Sequence, residues 1–151
     1  MTHRQPPAPV FLNILVATEG SPHSRRALAE AVDLARATNA KLTLLTVAPP
    51  LSQYVTLAGV DPARMRLELD RWAEERLREA AAAVPDDVIA HTVQRSGHAG
   101  PEIIDELENG TYDLVVLGSR ARGRAQEGLF GSVNGYVHFH SRVPLLSVPQ
   151  E

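Results

Sequence analysis

The chain has 151 residues, 44% hydrophobic and 22% charged, with 15 Lys plus Arg against 18 Asp plus Glu and a formal charge of −3. One domain of this length buries a substantial core, and its slight acidity argues against general attraction to nucleic acid or an anionic membrane, so an anionic ligand has to be held locally. Without cysteine there is no disulfide framework, iron–sulfur site or thiol chemistry. No apolar run reaches the roughly 18 residues of a membrane span, and the first nine residues lack the hydrophobic core of a signal peptide, so the expectation is a cytoplasmic protein.

Residues 1–10 are polar and proline-rich and read as a disordered tail before one domain over residues 11–151. Leu12 to Ala17 is a first strand, followed by the sharp turn Thr18-Glu19-Gly20-Ser21. Ser21 is a candidate N-cap with Pro22 at the first helical position, and Ala27, Leu28, Ala31, Leu34 and Ala35 form the apolar stripe of a helix to about Thr38. After Asn39-Ala40 a second strand, Lys41 to Ala48, stops at Pro49-Pro50. The connection from Leu51 to Val60, with Tyr54, Val55 and Leu57, is too apolar for a free linker and is expected to cover a cleft.

Asp61 caps and Pro62 opens the longest helix, with Met65, Leu69, Trp72, Ala73, Leu77 and Ala80 on its buried face. Arg71 with Glu75 and Glu74 with Arg78 are four-residue charge pairs on its solvated face. The mixed polarity of Val88 to Val93 suits an edge strand, in which His91 is structural. Ser96 to Gly100 is a turn, with His98 facing solvent, and Pro101-Glu102 opens a helix that turns Ile103, Ile104 and Leu107 inward and ends at Asn109-Gly110.

Leu114 to Leu117 is an unbroken β-prone run that belongs in a sheet covered on both faces. The loop from Gly118 to Ser132 carries four glycines, three arginines and two serines, where a strand-to-helix connection usually takes about 2 to 6 residues. Helical spacing resumes with Val133, Tyr136, Val137 and His140, and Ser132 stands where an N-cap would. Free N–H groups at such a start, the positive end of the helix dipole and a hydroxyl donor make an anion site, and phosphate is the expected anion. Pro144 to Val148 reads as the last strand.

Five strands alternating with helices imply a parallel sheet in a three-layer Rossmann-like or flavodoxin-like α/β fold. The spacing of Gly118, two residues, Ala121, nine residues and Gly131-Ser132, with its flanking strands and His140, resembles the nucleotide-binding signature of the universal stress protein family. The turn from Ala17 to Ser21 and the segment from Gly100 to Ile104 resemble that family too, and the likeness covers about residues 11 to 149. Two positions depart from its pattern: Glu19 replaces an aspartate and Ala121 the second glycine. If position 121 needs a left-handed backbone, alanine costs about 1 to 2 kcal/mol there.

The resemblance implies strand order 3-2-1-4-5, which sets the turn at Glu19 beside the loop at Gly118 across the switch point, where open α/β sheets bind ligands. It further implies ATP, with Mg²⁺ as a possible companion. Ala17, Thr18, Val47 and Leu117 would contact adenosine, and Glu19 the ribose or a cation. Gly118, Arg120, Ala121, Gly131, Ser132, Val133 and Asn134 would meet the phosphates. Two alternatives stand beside it: a module of the same fold that has lost ATP and acts as a dimer or through a protein partner, and one that binds a cyclic nucleotide. Turnover is not expected beyond slow ATP hydrolysis or self-phosphorylation. No Walker lysine follows Gly131, the turn after the first strand is not that of the PP-loop pyrophosphatases, and the acidic pair and phosphoacceptor of a response regulator are missing. His138 and His140, two apart on a helix, make a poor metal pair, and no metal site is expected. The last strand is expected at a sheet edge, pairing with its twofold mate in a homodimer.

Overall fold

The structure, a computed structural model, describes residues 11–53, 59–119 and 132–150. The tail expected at residues 1–10, the middle of the cleft-covering connection and loop residues 120–131 lie outside the described residues.

The chain alternates β1 (Asn13–Ala17), α1 (Pro22–Thr38), β2 (Lys41–Ala48), a short 3-10 turn (Leu51–Gln53), α2 (Pro62–Ala82), β3 (Ala90–Ser96), α3 (Ala99–Asn109), β4 (Leu114–Ser119), α4 (Ser132–His140) and β5 (Leu145–Pro149). All five strands are parallel in the order β3-β2-β1-β4-β5, as the resemblance implies. Successive strand residues point to opposite faces, so each strand feeds two cores. Ile14, Val16, Leu42, Leu44 and Val116 pack with Ala27, Leu28 and Ala31 of α1 and Leu77 and Ala80 of α2. Leu15, Leu45, Val115 and Leu117 pack on the other face with Ile103 and Leu107 of α3 and Val137 of α4. The central strands are covered on both faces, which explains their unbroken apolar runs.

The helix signals act as read. Ser21 caps α1 by accepting from the Ser24 N–H at 3.2 Å, and Asp61 caps α2 by accepting from the Ala63 N–H at 3.1 Å, with proline at the start of each helix. Arg95 at the end of β3 gathers Glu102 and Glu106 of α3, each at 2.9 Å, together with Asp105. Glu106 also accepts from the Tyr112 hydroxyl at 2.7 Å, which ties α3 to the approach to β4.

Several boundaries differ from expectation. Leu12 precedes β1, and its N–H donates to the Asp113 carboxylate at 2.9 Å. Val88 and Ile89 precede β3: Val88 turns into the α1–α2 core while Ile89 is exposed. β4 runs two residues beyond Leu117, since β5 continues to Pro149 and pairs with Gly118 and Ser119. Ser132 is the first residue of α4 rather than its cap, and α3 begins at Ala99. The charge pairs expected on α2 do not form; Arg64 meets Glu68 at 3.6 Å, Arg66 meets Asp70 at 3.0 Å, and Arg76 takes Glu79 at 2.9 Å.

Candidate functional site

β1 and β4 are neighbours, but α1 leaves β1 over one face of the sheet while α4 leaves β4 over the other, so the region between them at their carboxyl ends is the topological switch point, where open α/β sheets form their ligand crevice. Ala17 closes β1 there, Val47 lies near the end of β2, Leu117 lies in β4 and Val133 in the first turn of α4. All four belong to the α3–α4 core, yet Leu117 is fully buried whereas Ala17, Val47 and Val133 keep part of their surface. These three partly exposed apolar groups belong to the α3–α4 face of the sheet.

The turn after β1 is held by its own polar groups. The Thr18 N–H donates to the Leu45 carbonyl at 2.9 Å, and its carbonyl accepts from the Thr46 hydroxyl at 2.7 Å. The Thr18 side chain is buried, and its hydroxyl donates to Ser24 Oγ at 3.4 Å, on the α1 side. Ser24 in turn accepts from the Gly20 N–H at 3.1 Å and donates to the Ser21 carbonyl at 3.0 Å. Gly20 has φ +89°, a left-handed conformation that side chains resist. Glu19 is exposed, and its carboxylate receives the Ser21 hydroxyl and lies 3.6 Å from His23 Nε2. His23 Nε2 is also 2.9 Å from Ser21 Oγ.

The other side of the crevice is fastened by Asn134. Only 7% exposed, this side chain donates from Nδ2 to the Gly118 carbonyl at 2.8 Å and accepts at Oδ1 from the Ser147 hydroxyl at 2.8 Å. One amide therefore joins the end of β4, the first turn of α4 and β5. Gly118 is needed for packing: a Cβ there would lie 2.5 Å from the carbonyl carbon and oxygen of His23. The first turn of α4 is in this way held against the strand end, with its N-terminal dipole at the crevice.

Of the twelve residues singled out from the sequence, Ala17, Thr18, Glu19, Val47, Leu117, Gly118, Ser132, Val133 and Asn134 lie in described elements or turns around the crevice. Arg120, Ala121 and Gly131 lie outside the described residues. Sequence reasoning passed over Ser24, His23 and Ser147. The signal for Ser24 was a second hydroxyl three residues after the Ser21 cap, a relative of the capping box; Ser147, in a distant strand, gave none. His98 is exposed at the α3 N-cap, as read. His91 is an exposed edge-strand residue, while His140 stacks on Tyr136 at 4.0 Å and meets its carbonyl through Nδ1 at 2.9 Å. Among the described residues no three His, Asp or Glu side chains converge as metal ligands, and no helix is long and apolar enough to cross a membrane.

Residues 11–149 match the model of the universal stress protein family. Universal stress protein Sll1654 of Synechocystis is 31% identical over 144 residues, covering 93% of this chain and 87% of that protein. A family protein from Arabidopsis thaliana, solved with AMP bound, superposes with a TM-score of 0.69 at 18% identity over 93% of this chain and 92% of that one. A universal stress protein solved in complex with cAMP gives a TM-score of 0.62 at 24% identity over 94% of this chain and 99% of that one.

Proposed function

The chain belongs to the universal stress protein family, and from that premise we propose that it binds an adenine nucleotide, ATP with Mg²⁺, in the crevice between β1 and β4. The observation that carries this reading is the Asn134 clamp, which holds the first turn of α4 to the end of β4, on the same face of the sheet as the half-buried Ala17 and Val47. Adenosine is assigned to Ala17, Thr18, Val47 and Leu117. The Thr18 hydroxyl faces Ser24 and its N–H is taken by the Leu45 carbonyl, so its polar share is the second lone pair of its carbonyl, beside the Thr46 hydroxyl. Glu19 meets the ribose or the cation. Gly118, Arg120, Ala121, Gly131, Ser132, Val133 and Asn134 surround the phosphates; the Asn134 amide is already engaged, so its share is the main-chain N–H. Hydrogen bonds to a charged phosphate contribute roughly 1.5 to 3 kcal/mol each, so a few such amides support useful affinity.

AMP and cAMP in the two structural relatives agree with an adenine ligand while leaving the phosphate pattern open. Competition between ATP and cyclic AMP for the pure protein distinguishes them: displacement of cyclic AMP by ATP at lower concentration supports the reading, and the reverse order replaces ATP with the cyclic nucleotide. One observation favours a second reading, an interaction module without nucleotide: the Glu19 carboxylate is already met by Ser21 and His23. That reading predicts no response to either nucleotide. Either way, β5 is a sheet edge with Leu146 39% exposed, and we assign this edge to a twofold homodimer.

A further inference from the structure

At the turn after β1 the two oxygens of the Glu19 carboxylate are treated differently. Oε1 receives the Ser21 hydroxyl, and the 3.6 Å contact with His23 Nε2 falls on the same oxygen. Oε2 has no partner among the described residues. One oxygen is held and the other is left open.

The protons available set the direction of these bonds. Ser21 has a single hydroxyl proton, and a carboxylate only accepts, so that proton goes to Glu19. The Ser21 oxygen is left as an acceptor with two lone pairs. One takes the Ser24 N–H at 3.2 Å, and the other faces His23 Nε2 at 2.9 Å. That nitrogen therefore carries a hydrogen, and in the neutral ring Nδ1 is the bare one. Donation runs in one direction, from His23 Nε2–H to Ser21 Oγ–H to Glu19 Oε1.

His23 is a firm anchor for such a chain. It lies in the first turn of α1, its side chain is 12% exposed against 49% for Glu19, and its carbonyl packs against Gly118 at the end of β4. A long exposed carboxylate has many rotamers to lose when it meets a ligand, and a bond that fixes it beforehand removes part of that loss.

We propose that His23 is a positioning residue for Glu19: acting through Ser21, it holds Oε1 so that Oε2 is offered in a fixed place to the nucleotide. This role rests on the reading of the crevice as an adenine-nucleotide site.

Two measurements on the full chain test it. Long-range nitrogen–proton NMR correlations of the free protein should show a neutral His23 ring protonated at Nε2 and bare at Nδ1; the opposite tautomer overturns the proposal whether or not nucleotide binds. In calorimetric titrations with ATP and Mg²⁺, His23→Phe is expected to weaken binding by roughly fivefold, the worth of one hydrogen bond. His23→Gln, whose amide N–H can reach the place of Nε2, restores most of the loss, and in a Glu19→Gln background His23→Phe has no further effect. Should His23→Phe fail to fold, Ser21→Gly removes the hydroxyl while keeping an acceptable helix cap and interrupts the same chain. Unchanged affinity, or the same loss with and without the Glu19 carboxylate, overturns the proposal while the crevice reading stands; a parent that binds no nucleotide removes both.

Discussion

Gly118 lies directly against the peptide of His23: a methyl group on its Cα would stand 2.5 Å from that carbonyl carbon and oxygen and 2.8 Å from the Ser24 nitrogen. The end of β4 and the start of α1 therefore touch backbone to backbone. Gly118→Ala forces two main-chain segments apart, with no flexible side chain to yield. The expected cost is about 1 to 3 kcal/mol, read as a lower urea midpoint at unchanged slope. A change within experimental error would mean that the two segments are not in contact.

Asn134 is the second point where the crevice is fastened. Asn134→Ala leaves the Gly118 carbonyl and the Ser147 hydroxyl without their partner, at a cost of about 1 to 3 kcal/mol, and nucleotide affinity should fall with it as α4 loosens. Ser147→Ala removes one of the two bonds and costs less. A double-mutant cycle between the two is expected to show coupling of at least about 0.5 kcal/mol; strict additivity would deny the shared hydrogen bond.

How much of this was legible in the sequence differs between elements. The apolar stripe of α1, the caps at Ser21 and Asp61 and the buried run Leu114 to Leu117 are local patterns, and local patterns determine those elements. Strand order is not local; it came from the family spacing around Gly118 and Gly131. Gly118 was assigned to a phosphate loop because glycine there is compatible with both a bound anion and a packed backbone, and only the proximity of His23 reveals the second. Asn134 was assigned to phosphate for its place at a helix start, whereas its amide spans to Ser147 thirteen residues on. Charge spacing on α2 shows which pairs can meet but not which do: Arg71 with Glu75 and Glu74 with Arg78 were expected, whereas Arg64 meets Glu68, Arg66 meets Asp70 and Arg76, lying against Gly20, meets Glu79.

The Tyr112 hydroxyl offers a pH test of how α3 is attached. Burial first, and then its hydrogen bond to Glu106, push its pKa from 10.0 up to about 12. The folded state thus holds this proton more tightly than the unfolded chain does. Its stabilising contribution is complete below pH 10 and is lost as pH rises toward 12. Tyrosinate absorbance should show one late-titrating tyrosine that disappears in Tyr112→Phe, and that variant should lose less stability than the parent over this interval. Normal titration of every tyrosine would contradict the placement.

For the dimer, the exposed edge at β5 carries the expectation. Leu146→Lys places a charge on the strand that would meet its mate, and a burial cost of that kind disfavours association. Light scattering is expected to give twice the chain mass for the parent and a monomer for the variant, with unchanged circular dichroism. A parent that stays monomeric at high concentration would remove the dimer.

Calorimetric titration of the pure protein with ATP and Mg²⁺ bears most directly on the crevice. The account predicts saturable binding with one nucleotide per chain, weakened by Asn134→Ala. No heat and no shift in melting up to millimolar nucleotide would contradict it, leaving the fold in place without its ligand.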